Sequence, residues 1–83
     1  MTTRRVEIEL DGWTQANTVR DAFVVQNTTE RPIAAAYSDV EPAADAAHHV
    51  VPPHGVLHSG MGYGIVWVRA IDGAVGQSVT VSE

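Results

Sequence analysis

The segment from Ile65 to Val81 constrains the fold of this chain most, because it holds two β-type runs around Asp72-Gly73. Asp-Gly is a preferred centre for a type I′ turn, whose two central residues both need a positive φ angle. The segment therefore predicts an antiparallel hairpin in which Val66 lies opposite Val79. Side chains alternate along each strand, so this register also decides which residues share a face.

Both faces of the predicted hairpin are apolar. One face carries Val66, Val68, Ala70, Val75, Val79 and Val81, and the other carries Ile65, Trp67 and Ile71. A strand that is open to water on one side is usually polar there. A second layer must therefore cover the face with Trp67, and in so short a chain we expect another subunit to supply it. Ile65, Trp67 and Ile71 are accordingly candidate residues of an oligomer interface.

Short strands bounded by turn residues continue through the rest of the chain. Asp11-Gly12 predicts a second hairpin, and residues 41–49 predict a loop with at most one helical turn. Several short strands at regular spacing are typical of small all-β domains. The sequence predicts one domain over residues 1–83, an antiparallel β-sandwich or barrel of about six to eight short strands. Its further strands are Val6–Leu10, Trp13–Gln15, Ala22–Gln26, Ile33–Ser38 and Val56–His58.

The composition limits the partners and the means of stabilisation. The chain has 83 residues, no Cys and a net charge of −5, and its cations are all Arg. No disulfide can form, and domains of this size are marginally stable, so oligomerisation is the remaining common device. An acidic chain without a basic stripe is a poor binder of phosphate backbones, so we expect no nucleic-acid partner. No apolar run approaches the length of a membrane span, so we expect no membrane partner.

No pattern in the chain indicates an enzyme or a cofactor. His48 and His49 are adjacent, so on a strand they would point to opposite faces, whereas His54 and His58 flank a turn and could converge. Ser59 lacks the frame of a nucleophile elbow. The Gly-rich residues 60–64 precede a strand, whereas a phosphate loop precedes a helix. We therefore expect no catalytic residues, no metal ion and no cofactor.

The aromatic residues leave one alternative open. Aromatic faces stack on sugar rings, and four such side chains could form a carbohydrate-binding platform. The same side chains could equally be buried in the core or in an interface, where aromatic residues contribute large contact energies. The four residues are Trp13, Tyr37, Tyr63 and Trp67.

Several features follow one another along nearly the whole chain, namely Trp13, Gln26-Asn27, Pro42, His49–Gly55, Val66–Ala70, Gly73 and Val79–Val81. Their order resembles small β-sandwich domains in structural proteins of tailed bacteriophages and related gene transfer agents. The resemblance implies a virion protein, made in the bacterial cytoplasm, that serves as a capsid decoration, head spike or tail-fibre adaptor. It also implies a homo-oligomer, most often a trimer. The four histidines of the middle segment are a departure from that pattern.

By this resemblance the partner is a capsid or tail protein, contacted by loops at one end of the sandwich. The two candidate loops are Ala43–His49 and His54–Met61. Loops that are held by a rigid scaffold often carry binding residues. We therefore expect the docking residues to include His49, His54, His58 and Met61.

Overall fold

The computed structural model of the chain describes residues 2–9, 12–18, 22–58, 64–71 and 76–83. These residues form eight strands, and no helix among them is long and apolar enough to cross a bilayer. The strands are β1 (Thr3–Glu7), β2 (Thr14–Gln15), β3 (Val24–Asn27), β4 (Ile33–Tyr37), β5 (His49–Val51), β6 (Val56–His58), β7 (Val66–Ala70) and β8 (Ser78–Ser82).

The eight strands form two four-stranded antiparallel sheets. The first sheet has the order β1-β8-β3-β6, and the second has the order β2-β7-β4-β5. The sheets enclose one apolar core, so the prediction of a small all-β sandwich is confirmed. Strands β5 and β6 are therefore edge strands of different sheets, as are β1 and β2.

The core is built mainly from valines that project inward from both sheets. Val66, Val68, Val79 and Val81 are fully buried, and Ala70 is nearly so, as the alternation along both strands predicts. Val75, which was expected on the same face, lies outside the described residues. Complete burial of such a side chain contributes about 1.5–3 kcal/mol. The buried cluster comprises Ile8, Ala16, Phe23, Val25, Ile33, Ala35, Val51, Leu57, Val66, Val68, Val79 and Val81.

The predicted hairpin between the last two strands is wrong, because β7 and β8 lie in different sheets. Val66 pairs with Tyr37 in the second sheet, while Val79 pairs with Val6 in the first. The predicted turn residues Asp72-Gly73 lie outside the described residues. Alternation requires only that one face be buried, and strands that face each other across a core satisfy it as well as strands that lie side by side.

The predicted hairpin between the first two strands is wrong for the same reason. Strand β1 pairs with β8, whereas β2 pairs with β7 in the other sheet. Strand β1 also begins earlier than the alternation of Val6–Leu10 predicted. Among the eight described strands, β4 and β5 are the only consecutive pair that hydrogen-bond to each other. The chain therefore moves from one sheet to the other at nearly every connection.

Candidate functional site at the β5–β6 edge

The histidines that were predicted to dock a partner lie along one edge of the sandwich. His49 begins β5, His54 lies in the turn that follows, and His58 ends β6. All three side chains are exposed, and we call residues 49–58 the β5–β6 edge. Met61, the fourth predicted docking residue, lies outside the described residues. The edge joins the two sheets, so it presents backbone from both layers at one side of the molecule.

A type II turn sets the shape of this edge. The Gly55 N–H donates to the Pro52 carbonyl oxygen over 2.8 Å, and His54 has a φ of 65°. Pro53 fixes a negative φ at the preceding position, so the positive angle falls on the third residue of the turn. A Cβ atom on Gly55 would lie 2.8 Å from Pro52 Cδ and 2.9 Å from its carbonyl oxygen. The turn therefore requires glycine at position 55.

Asn27 anchors the turn to the core. Its side chain is fully buried, and Nδ2 donates to the carbonyl oxygens of Arg31 (2.8 Å), Val51 (3.1 Å) and Pro52 (3.3 Å). Asn27 Oδ1 accepts from the backbone N–H and the hydroxyl of Thr29. These bonds join the end of β3, the 28–32 turn and the end of β5. The sequence predicted a strand that ends at Gln26, but nothing in the pattern shows that the amide of the next residue, Asn27, is buried.

The backbone of Asn27 continues the same network into the edge. The His54 N–H donates to the Asn27 carbonyl oxygen, and the Asn27 N–H donates to the Gly55 carbonyl oxygen. The corner of the β5–β6 edge is thus held by both the side chain and the main chain of one buried residue. Such a corner loses little conformational freedom when a partner binds, which favours association.

Two exposed valines give the β5–β6 edge an apolar component. Val50 is 60% exposed on β5, and Val56 is 45% exposed on β6. Val24 of β3, which lies opposite His58 in the register, is also partly exposed. The Glu30 carboxylate lies 3.8 Å from His54 Nε2. The edge therefore combines apolar contact area, imidazoles and the backbone of two strands at sheet edges, which are features of strand-edge recognition.

A cavity of about 250 Å³ opens beside the start of β5. The His49 ring meets the Tyr37 ring edge-on at 6.2 Å between centroids. His48 precedes the strand, and its ring meets the Trp13 ring edge-on at 6.3 Å between centroids, so the two neighbouring imidazoles contact different partners. No group of three metal-ligating side chains occurs within the described residues. The cavity is lined by Ala36, Tyr37, Ala47, His48 and His49.

Tyr37 links this cavity to the β5–β6 edge. Its hydroxyl donates to the His58 carbonyl oxygen over 3.4 Å. Desolvation by partial burial raises the pKa of the Tyr37 hydroxyl above its usual value. The hydroxyl is therefore held in its neutral, hydrogen-donating form, which is the form that the contact with His58 needs.

The face that was predicted to need a second subunit is largely covered by the chain itself. Residues 38–48 cross the outer face of the second sheet, and we call them the strap. Trp67 Nε1 donates to the Ser38 carbonyl oxygen over 2.9 Å, and its ring packs in a cluster with Trp13. Ile65 is buried, while Ile71 remains 44% exposed. The premise that Ile65 and Trp67 lack cover within the chain is therefore wrong.

Two further side chains attach the strap to the sheet. Trp13 Nε1 donates to the Ala43 carbonyl oxygen over 3.0 Å, and Arg69 Nη1 donates to the Ala44 carbonyl oxygen over 2.7 Å. The Arg69 guanidinium lies 5.5 Å above the Trp13 ring centroid, which is a cation–π geometry. Trp13 is only 4% exposed, so its ring is not available as part of a sugar-stacking surface.

The remaining residues of the predicted sugar platform are divided. Tyr37 and Trp67 are half-buried, and Tyr63 lies outside the described residues. Tyr37 borders the cavity beside β5, whereas Trp67 packs in the cluster that the strap covers.

No protein-family model, no curated protein and no solved structure matches this chain.

Proposed function

We propose that this chain is a non-enzymatic assembly module that associates with copies of itself and docks on a larger protein assembly. The β5–β6 edge is the proposed docking surface, and the larger assembly is a phage-like particle. In that particle the chain acts as a capsid decoration, head spike or tail-fibre adaptor. The observation that carries the proposal is the rigid corner at Asn27, which presents exposed Val50 and Val56 beside three imidazoles.

Physical features of the edge support docking to a protein. Interfaces gain most of their energy from well-packed apolar and aromatic contacts near their centre, surrounded by polar groups. Val50 and Val56 provide the apolar contacts, and His49, His54 and His58 provide polar groups around them. The choice of a phage-like particle depends on the resemblance of the whole chain to phage β-sandwich domains. The partner is then a capsid or tail protein with an apolar groove.

The test is to purify particles from the organism that encodes the chain and to detect the chain in them by mass spectrometry. Val50→Lys should lower its incorporation at least about tenfold, because the variant buries an unpaired charge in the interface. Val40→Lys is the matched control, since Val40 is 71% exposed in the strap, and it should incorporate normally. Absence of the wild-type chain from particles would refute the virion role. Equal incorporation of both variants would refute the edge.

Carbohydrate binding is the second candidate, and one observation favours it. Tyr37, His48 and His49 line an open cavity of about 250 Å³. This volume lies slightly below the usual range for ligand pockets and suits one small ring. An oligosaccharide panel should then give binding that Tyr37→Ala abolishes. Such binding, together with absence of the chain from particles, would replace the assembly proposal.

A further inference from the structure

We infer that β1 is a self-association surface, through which two copies of this chain pair edge to edge about a two-fold axis. The inference deepens the self-associating part of the proposed function and does not involve the β5–β6 edge. Strand β1 lies at the opposite edge of the first sheet, with β8 on its inner side. With five residues, it is the longest of the four edge strands.

The backbone of β1 presents hydrogen-bonding groups on the side opposite β8, where no other described strand pairs with it. Thr2 and Glu83 exchange two hydrogen bonds, of 2.7 and 3.0 Å, and the Ile8 N–H donates to the Gln77 carbonyl oxygen. Bonded and non-bonded pairs alternate in an antiparallel ladder, so the even-numbered residues from 2 to 8 face β8. The N–H and C=O groups of Thr3, Arg5 and Glu7 therefore point away from β8.

The side chains of β1 are complementary to a second copy of the same strand. Arg5 and Glu7 share the outer face, where their side chains are 70% and 64% exposed and form a 3.1 Å ion pair. When two β1 strands run antiparallel and are centred on Val6, Arg5 of each copy lies opposite Glu7 of the other. Both residues have outward-facing backbone groups, so each of these two pairs can form ladder hydrogen bonds.

Charge selects this register among those that the backbone allows. The outward-facing backbone groups of the two strands lie opposite each other only when the two-fold axis is centred on a residue. The positions for the axis next to Val6 are Arg5 and Glu7. An axis at Arg5 places Arg5 opposite its own copy, and an axis at Glu7 places Glu7 opposite its own copy. Like charges that face each other across a ladder are destabilising. The axis at Val6 is therefore favoured, and it also brings two half-buried valines together.

The size of the surface determines what kind of dimer it can form. A pair of five-residue strands is much smaller than a standard protein interface, so the dimer should be weak and reversible. Its exposed ion pairs should be screened by salt. Two-fold pairing gives an even number of subunits, which differs from the trimer that the resemblance to phage domains implies.

A charge-swap series tests the pairing in the full chain by light scattering and sedimentation equilibrium at high micromolar concentration. The wild type should give a dimer mass. Glu7→Arg and Arg5→Glu should each weaken the dimer about tenfold or more, because each creates two like-charge contacts. The double variant Arg5→Glu/Glu7→Arg should restore the wild-type mass. Glu30→Arg, at a side chain that is 89% exposed and lies beside His54, makes the same charge change as Glu7→Arg and should keep the dimer.

A wild-type chain that stays monomeric would overturn the inference, as would a Glu7→Arg variant that dimerises normally. A double variant with the wild-type melting temperature but no dimer would also overturn it. If the single variants unfold, a salt titration of the wild type tests the pairing instead. The dissociation constant of the dimer should rise with salt, and a constant value would contradict the ion pairs. Val50→Lys should keep the dimer mass. Loss of the dimer in that variant would place self-association at the other edge and leave the proposed function standing.

Discussion

Asn27 is a fully buried residue whose amide joins three segments that strand pairing alone does not connect. Asn27→Ala would leave the carbonyl oxygens of Arg31 and Val51 without this donor in the interior. Unsatisfied buried polar groups cost about 1–3 kcal/mol each, so we expect a loss of about 3 kcal/mol in urea unfolding. Thr28→Ala, at the exposed neighbouring position, should change stability by less than about 0.5 kcal/mol. Equal stability of the two variants would contradict this role of Asn27.

The Tyr37 hydroxyl should make the stability of the fold depend on pH, and the composition of the chain makes this dependence measurable. Burial raises the pKa of this hydroxyl in the folded state, so the folded state favours the neutral form. The resulting stability is present below the unfolded pKa and is lost as the pH rises through the folded pKa. The chain has no Lys and no Cys to titrate in the same alkaline range.

Urea unfolding across the alkaline range should therefore show a steeper loss of stability for the wild type than for Tyr37→Phe. Tyr63→Phe is the control and should keep the wild-type dependence, provided that Tyr37 is the tyrosine responsible. The interpretation fails if Tyr37→Phe loses stability with pH as the wild type does.

At the scale of elements, the turn between β5 and β6 shows how local sequence decides a connection between sheets. Gly55→Ala should cost about 1–3 kcal/mol, because its Cβ would overlap Pro52 and the backbone of the turn would have to shift. His54→Gly should instead be neutral or stabilise by up to about 1 kcal/mol, because glycine adopts a positive φ without penalty. Thermal unfolding of the two variants checks the pair, and effects of the same sign would contradict the turn geometry.

The strap is held to the second sheet by three side-chain hydrogen bonds and by packing on alanines. Trp13→Phe keeps an aromatic ring but removes the donor to the Ala43 carbonyl oxygen. We expect a cost of about 1–2 kcal/mol and several-fold faster cleavage by a protease specific for acidic residues. Glu41 and Asp45 are exposed, and local opening of the strap would let the backbone beside them enter a protease active site. Val40→Ala is the control in the same segment. Unchanged cleavage of Trp13→Phe would show that the strap does not depend on this bond.

The sequence predicted the elements of the fold better than their pairing. Alternation identified the buried valines of β7 and β8, and the predicted strand Val56–His58 coincides with β6. The predicted pairing of the strands was wrong, because an Asp-Gly pattern marks the end of a strand. It does not show whether the next strand lies beside the first or in the other sheet. The cover over Trp67 was missed because Ala43, Ala44 and Ser38 contribute backbone carbonyls, which the side-chain pattern does not show. Asn27 was missed because burial of a polar residue depends on the tertiary fold.

At the scale of the whole molecule, nearly every connection leads to the other sheet, so most contacts join residues that are distant in sequence. Domains with such topology fold slowly, typically in milliseconds to seconds. A small domain of this kind also has little stability to spare. Association of folded copies therefore matters to the stability that is observed, because a partner that binds only the folded state shifts the unfolding equilibrium.

This coupling leads to a prediction about thermal unfolding. If two copies pair through β1, dimers are present only among folded chains, and the melting temperature should rise with protein concentration. A tenfold increase in concentration changes the association free energy available to the folded state by up to about 1.4 kcal/mol per dimer. In a domain of this size that corresponds to a rise of a few degrees.

Calorimetry of the wild type and of Glu7→Arg over the same concentration range provides the measurement. The wild-type melting temperature should rise, while that of Glu7→Arg should stay constant, because its like charges keep the chains apart. Glu30→Arg carries the same charge change on another surface and should follow the wild type. Parallel curves for the wild type and Glu7→Arg would show that β1 does not link association to stability. A constant wild-type melting temperature would mean that the folded chain is monomeric over that range.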